Sequence, residues 1–491
     1  MRLFLTILQD KAVAANRLIF SLIFALASIR LASLGMYPLM DMTEARYAEI
    51  ARMMVELNDW ATLRFDYDVP FWGKPPLSVW VTAISFKLFG VNEFAARFPH
   101  WLAGVFVAWL TCDFACRRSS TMGMYSTALL CGSALFFLSA GAVMTDMVLV
   151  VGTTIAMRGF WLGLHGDDVD RRRERWLFFV GIAIGLLAKG PVVLILVIVP
   201  IVAWSVLSGE VAAVKRGFPW LRGALLTIAL ALPWYLLAEL RSPGFLDYFI
   251  VGEHWNRFLK PGWAGDLYGS AHRYARGTIW LFLLVDLLPW TLILLMFYVF
   301  TLFNRSTSQK SATKDKWSTY LWLWALTPAI FFTFSRNILW PYVLPGFPAM
   351  VLLVGKWLEE RPEQTAINRI TLFGLVSSIV SIPALVAYMH FSGMNEDRSQ
   401  KSLIETYKAH RQSDEELIYF GKREFSASFY SNGKAKFINN INMASEHAQK
   451  ANVYLAVPNE EIKSLPAKFI GSFERLSQHG RYTLYRSVHR T

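Results

Sequence analysis

The stretch Asp41-Met42-Thr43-Glu44-Ala45-Arg46-Tyr47-Ala48-Glu49-Ile50-Ala51-Arg52 crowds acids and arginines together immediately after an apolar segment. Such a cluster beside a first membrane span has a chemical reason, and it reads as half of an active site at the membrane surface. Asp41 and Glu44 are its candidate acids, and either can be the one that acts; Arg46, with Tyr47 beside it, is its candidate cation. Lys74 follows in Phe71-Trp72-Gly73-Lys74-Pro75-Pro76-Leu77, where the prolines fix the loop and aromatic residues flank the amine. Asp146 stands in the otherwise apolar Val143-Met144-Thr145-Asp146-Met147-Val148-Leu149. It reads either as an acid satisfying free N–H groups at a helix start or as a carboxylate opposite the Asp41/Glu44 cluster. Lys189 precedes Gly190-Pro191, a tight turn that exposes its amine, although a lysine there can also simply snorkel.

Residues 240–277 carry Glu253-His254-Trp255-Asn256-Arg257-Phe258, then Trp263, Asp266, Tyr268, His272, Arg273 and Arg276. That density of aromatic and basic groups suits a mobile gate over a sugar-phosphate site, with Glu253 and His254 on it; an interfacial aromatic belt is the plain alternative. Arg336 and Tyr342 come last.

These residues must be positioned by membrane helices. The chain of 491 residues is 54% hydrophobic and only 17% charged, against roughly 25% charged in soluble domains. Apolar runs recur from residue 18 to 391, each long enough to cross a hydrocarbon core of about 30 Å. Spans are expected at 18–40, 98–116, 120–140, 146–164, 176–189, 191–208, 220–239, 278–303, 318–334, 339–357 and 369–391, about eleven to thirteen transmembrane helices in all. Residues 77–89 are apolar but short, as in a re-entrant or interfacial helix.

The net charge of +13 is no nucleic-acid signature, because most basic residues fall in short loops between spans. Placing Arg117 with Arg118, 171–175, Lys215 with Arg216, 305–316 and 356–369 in the cytoplasm puts the N-terminus there as well, and residues 37–97 and 240–277 outside. Residues 44–56 read as an amphipathic helix with Ala45, Ala48, Ile50, Ala51, Met54 and Val55 toward the membrane. Residues 1–391 thus form the transmembrane domain. Residues 392–491 are polar, with short strands at 417–420, 453–457, 468–473 and 482–487 and a helix at 443–451, so a small α/β domain is expected outside. Cys112, Cys116 and Cys131 lie in apolar segments with no His at metal-ligand spacing and read as packing residues.

In this topology Asp41, Glu44, Arg46, Lys74, Asp146, Lys189, His254, Arg257, Arg336 and Tyr342 share the outer side. Lys74, Lys189, Arg257 and Arg336 are exceptions to the positive-inside pattern. Fixed cations facing acids at a membrane surface suggest an anionic ligand anchored in lipid, such as a polyprenyl phosphate.

The landmarks occur in one order: the 41–52 stretch, Gly-Lys-Pro-Pro-Leu (73–77), Gly-Val-Asn-Glu-Phe-Ala-Ala-Arg-Phe-Pro (90–99), Thr145-Asp146-Met147, Ala188-Lys189-Gly190, Glu253-His254 and Pro341-Tyr342-Val343-Leu344-Pro345. This pattern resembles the GT-C superfamily of membrane glycosyltransferases, in the bacterial ArnT-like branch of aminoarabinose lipid A transferases and their protein O-mannosyltransferase relatives. The likeness is most specific over 38–100 and 141–150.

The resemblance implies an inverting transfer of a sugar from undecaprenyl phosphate to lipid A or lipopolysaccharide, at the periplasmic face of the bacterial inner membrane. It assigns Arg46, Lys74, Lys189, Arg257 and Tyr342 to the donor phosphate, with Tyr47 and Arg336 as further candidates beside them, and Asp146, with Asp41 or Glu44, to the catalytic acids. Two departures stand out. The relatives have Asp-Glu directly before x-Arg-Tyr, whereas Thr43-Glu44 stands here with Asp41 earlier; Asp41, nearest the span end, is favoured. They also often have an acid before Lys-Pro-Pro with a divalent metal nearby; Gly73 occupies that position, which argues against a metal near His254. A protein or O-antigen glycosyltransferase with the same donor is the alternative within the enzyme class. A lipid transporter or flippase would place its charges at the bilayer midplane rather than at the outer ends of spans.

Overall fold

A computed structural model of the chain describes residues 2–260, 262–269, 272–303, 315–412, 415–450 and 453–487. They form two compact units: Met1–Ala32 with Asp59–Val81 and Arg97–Ile382, and Ser33–Asn58 with Thr82–Ala96 and Pro383–Thr491.

The first unit is helical. The expected spans fall on Arg2–Ser33, Glu93–Cys116, Asp146–His165, Asp168–Lys189, Val192–Leu207, Trp220–Arg241, Lys316–Thr333, Phe347–Glu359 and Gln364–Phe391, among others. Ala14–Ser33, Asp146–His165, Trp220–Arg241 and Trp340–Glu359 are each long and apolar enough to cross a membrane alone. The first helix ends at Ser33 rather than 40, because Gly35 and Pro38 do not continue it.

Two expected spans are broken. Residues 120–140 divide into Ser120–Gly132 and Ala134–Ser139 at an extended Ser133. Residues 278–303 divide into Thr278–Asp286 and Trp290–Phe303, bent by 88°, where Pro289 lacks the N–H an unbroken helix needs. The expected cytoplasmic loop 305–316 lies, up to residue 314, outside the described residues. Trp220–Arg241 exposes Leu221, Leu225, Ile228, Leu232 and Leu236 at helical spacing, an apolar stripe of the kind a membrane helix turns to lipid.

One hairpin matters for the site. Asp146–His165 and Asp168–Lys189 run antiparallel in close contact; a Cβ on Gly152 would lie 2.7 Å from Gly181 O. Backbones this close are what small residues at a membrane helix interface permit. The arrangement returns the end of the second helix, Lys189, to the start of the first, Asp146.

The second unit contains a five-stranded sheet in the order Lys436–Ile438, Glu416–Phe420, Val453–Pro458, Tyr482–Ser487, Phe473–His479. The first three strands are parallel and the last two pair antiparallel. The strands expected at 417–420, 453–457 and 482–487 are present, and the helix expected at 443–451 is Ile441–Lys450. The strand expected at 468–473 is instead a helical turn, Ala467–Ile470, entered from Pro466, and only Phe473 begins a strand.

The helix expected at 44–56 is Thr43–Glu56, but its apolar face is not offered to lipid. Ala45, Ala48, Ile50, Ala51 and Met54 are buried in the protein, and the helix packs on Phe425–Tyr430. Alanines are too small to anchor a helix in a bilayer but suit close packing against another helix.

Candidate active site

The Asp146/Lys189 hairpin supplies the first pair. Lys189 Nζ donates to Asp146 Oδ1, and both side chains are buried. The ammonium also lies 4.4 Å from the centre of the Tyr342 ring, a cation–π contact brought from the Trp340–Gly346 turn. A buried lysine with one carboxylate and one aromatic face is fixed in place, not free to snorkel outward.

The chain leaves Lys189 through Gly190 with φ +85°, and a Cβ there would stand 2.5 Å from Phe249 and 3.1 Å from His254. Only glycine accepts both the conformation and the approach. The ring that comes so close is held by backbone: His254 Nδ1 is 2.7 Å from Phe249 O and Nε2 is 3.2 Å from Lys189 O. Burial, aided by the charge of Lys74, lowers the His254 pKa, against the two carbonyls and Glu253, which raise it. The imidazole is therefore neutral near pH 7 and donates to one of the two carbonyls.

His254 lies on a π-helical segment, Asp247–Asn256, with Glu253 beside it. Glu253 is buried and accepts from Lys74 Nζ and, at 2.7 and 2.8 Å, from Arg257 Nη1. Burial alone would raise its pKa, but Lys74 and Arg257 more than offset this and hold it below the usual carboxylate range. Arg257 Nη2 also reaches the buried Asp266 at 3.3 Å. Arg257 Nε is buried with no hydrogen-bond partner among the described residues. Lys74 uses a second donor on Gly73 O, 2.7 Å away. Its loop is pinned by Tyr268, whose hydroxyl donates to Pro70 O and accepts from Trp72 N.

The structure thus joins Lys74, Asp146, Lys189, Glu253, His254, Arg257 and Tyr342. It also adds Asp266, which the sequence shows only as one acid in a long loop. Arg336 is exposed and donates to Tyr274 O at 3.2 Å.

Asp41, Glu44, Arg46 and Tyr47 belong to the second unit. Asp41 Oδ1 accepts from Ser426 N at 2.9 Å and Oδ2 accepts from Ser426 Oγ. Burial, then the Glu424 carboxylate, push Asp41 up to about 7, against the Ser426 hydrogen bonds. Glu44 Oε2 accepts from Met40 N at 3.3 Å, an acid near a helix start bonding back to an upstream N–H. The Arg46 guanidinium lies 5.5 Å from the Tyr47 ring centre and 5.9 Å from that of Phe425. Neither Glu424 nor Ser426 is marked by any motif in the sequence.

The residues present do not fit a metal at His254. Both ring nitrogens face backbone carbonyls, Gly73 offers no ligand, and no cluster of three or more His, Cys, Asp or Glu able to hold an ion occurs among the described residues.

The fold is that of crystal structures of ArnT from Cupriavidus metallidurans. The form bound to undecaprenyl phosphate gives a TM-score of 0.77 at 18% identity over 96% of this chain and 98% of that one. The apo form gives 0.79 at 16% identity with the same coverage. The chain is therefore a multi-pass membrane protein of GT-C fold, similar to the ArnT-like glycosyltransferases. Residues 13–249 match the dolichyl-phosphate-mannose-protein mannosyltransferase family. Among curated proteins it is 27% identical, over 72% of its length, to the undecaprenyl phosphate-α-4-amino-4-deoxy-L-arabinose arabinosyl transferase 1 of Pseudomonas fluorescens, and the match spans 60% of that relative.

Proposed function

We propose that the protein is an inverting glycosyltransferase that moves a sugar from undecaprenyl phosphate to lipid A or lipopolysaccharide at the periplasmic face of the inner membrane. The N-terminus is then cytoplasmic, and the 392–491 domain stands with the site in the periplasm. The observation that carries this reading is Arg257: a guanidinium fixed by Glu253 and Asp266, with Nε buried and unpartnered among the described residues, beside Lys74. An anionic oxygen is the natural acceptor for such a donor. Its setting in a fold shared with a protein bound to undecaprenyl phosphate supports a lipid phosphate.

In this reading Lys74, Arg257 and Lys189 hold the donor phosphate with Tyr342. Asp41 is the general base: a carboxyl group near 7 accepts a proton most effectively at neutral pH. The acceptor hydroxyl gives its proton to the carboxylate as its oxygen bonds the anomeric carbon. The bond from that carbon to the phosphate oxygen breaks on the opposite face, its electron pair leaving with undecaprenyl phosphate. Asp146 keeps Lys189 aimed at the charge that develops on the phosphate. Glu253 and His254 clamp the site together. The match to a protein mannosyltransferase model favours a second reading of the acceptor, a protein hydroxyl.

Mass spectrometry of lipid A from cells with and without the gene tests the proposal. A sugar increment that disappears with the gene is expected; identical lipid A in both strains refutes it.

A further inference from the structure

A second polar cleft, of about 480 Å³, opens in the first unit and contains none of the residues discussed so far as donor ligands. Its lining includes Asp59, Thr62, Arg64, Asp68, Arg241 and Ser242. One wall is the turn and two-stranded ribbon that follow residue 58. Asp59 Oδ1 accepts from Ala61 N and Thr62 N, both at 3.1 Å, and Arg64 Nη1 donates to Tyr67 O at 2.6 Å. Trp234 Nε1 fixes this wall to the neighbouring helix through Ala61 O. The other wall is the end of Trp220–Arg241 and the turn after it, where Glu239 accepts from Gly244 N and Leu246 N. Asp59 ties the walls together by binding Arg241 at 3.0 Å and Arg64 at 3.4 Å. The cleft is therefore built by interlocking bonds rather than left by loose loops.

Its chemistry is balanced. Two guanidiniums face two carboxylates, so the lining has no excess charge to trap a polyanion. It does present planar donors, planar acceptors and hydroxyl groups side by side, with Pro70 and Pro243 supplying apolar patches. Vicinal sugar hydroxyls both donate and accept, and carbon faces of a sugar ring pack on apolar surface; this lining matches both needs. The cleft is also wired to the donor loop. Trp72, two residues before Lys74, donates from Nε1 to Ser242 Oγ at 2.7 Å, while its backbone N–H meets the Tyr268 hydroxyl.

We infer that this cleft binds the sugar headgroup of the acceptor, with Arg241 and Asp68 as specificity-determining contacts and Trp72 linking its occupancy to Lys74. The inference rests on the glycosyltransferase reading above and names the acceptor class that reading leaves broad: a hydroxyl-rich glycan, bound through its sugar rather than through its phosphates.

The test is native mass spectrometry of the full chain with lipid A, with no donor present. Arg241→Ala and Asp68→Asn each reduce lipid A binding about tenfold, the effect of losing one charged hydrogen bond, and monophosphoryl lipid A binds as well as the diphosphoryl form. Lipid A bound equally by wild type and variants, or not bound by wild type, overturns the inference, as does a requirement for the second phosphate. Undecaprenyl phosphate is titrated separately and binds wild type and both variants alike. Its failure to bind wild type defeats the donor reading, while the lipid A result still reports on the cleft.

Discussion

His254 Nε2 stands 3.2 Å from the main-chain carbonyl of Lys189, so the imidazole packs the Glu253–Arg257 segment against the turn that carries the buried lysine. The contact is possible only because residue 190 has no Cβ. Whichever of the Phe249 and Lys189 carbonyls receives its one N–H, the neutral ring is a positioning group: wedged between the two segments, it fixes where Lys189, Glu253 and Arg257 stand together.

The first prediction concerns this packing. Gly190→Ala forces an L-residue to φ +85° with its Cβ 2.5 Å from Phe249, and should cost at least about 2 kcal/mol. A lowered melting temperature in nanodiscs together with weakened undecaprenyl phosphate binding is expected. His254→Ala should have the smaller stability effect of one lost hydrogen bond, about 1 kcal/mol, with the same loss of donor affinity. If His254→Ala binds donor as wild type does, the ring does not position the site.

The Asp146–Lys189 pair separates stability from activity. Asp146→Ala leaves a buried ammonium with only the Tyr342 face, and breaking such a pair costs about 3–5 kcal/mol. Replacing both partners, as in Asp146→Leu with Lys189→Met, should restore most of the stability, because an apolar pair of similar size needs no desolvated charge. Transfer activity should stay absent in the double variant. Full activity there would remove both residues from the chemistry and leave them as packing.

Arg257 tests whether geometry or charge holds the donor. Arg257→Lys keeps the positive charge but loses the fork that grips Glu253 through one nitrogen while presenting Nε to a ligand. A roughly tenfold or greater weakening of undecaprenyl phosphate binding is expected, in line with the loss of a charge-assisted hydrogen bond. Equal affinity in a titration would mean that the buried Nε is not a phosphate contact.

What the sequence makes legible follows from distance along the chain. The strand at 482–487 is readable because a run of β-formers bounded by Gly480 needs no partner to identify it. Glu253, His254 and Arg257 stand out in the sequence only as part of a loop dense in charged and aromatic residues; that Glu253 and Arg257 pair is seen only in the fold. Lys189, Lys74 and Arg257 are conspicuous because they break the charge rule for outer loops. What stays hidden is contact between distant segments. Ser426 looks like an ordinary serine until the fold brings it to Asp41, 385 residues earlier. The face of Thr43–Glu56 is equally ambiguous: alanine-rich periodicity is the same whether the partner is lipid or the helix Phe425–Tyr430.

The last prediction uses the environment of Asp41. Its folded pKa, near 7, lies above that of an exposed aspartate, about 3.9. Between those values the native state holds a proton that the unfolded chain has already lost. Stability from this group is therefore fully present below about pH 4 and declines as pH rises through 7. Asp41→Asn should abolish that decline, so the variant gains stability relative to wild type when melting is compared at pH 8 and at pH 5. Activity runs the other way. A general base must be ionised, so kcat/KM with saturating donor should fall about tenfold per pH unit below 7, and Asp41→Asn should be inactive across the range. Glu44→Gln keeps a hydrogen-bonding group at the helix start and should retain the pH profile. If instead Glu44→Gln removes the acidic limb while Asp41→Asn stays active, the base is Glu44 and the burial of Asp41 against Ser426 is structural.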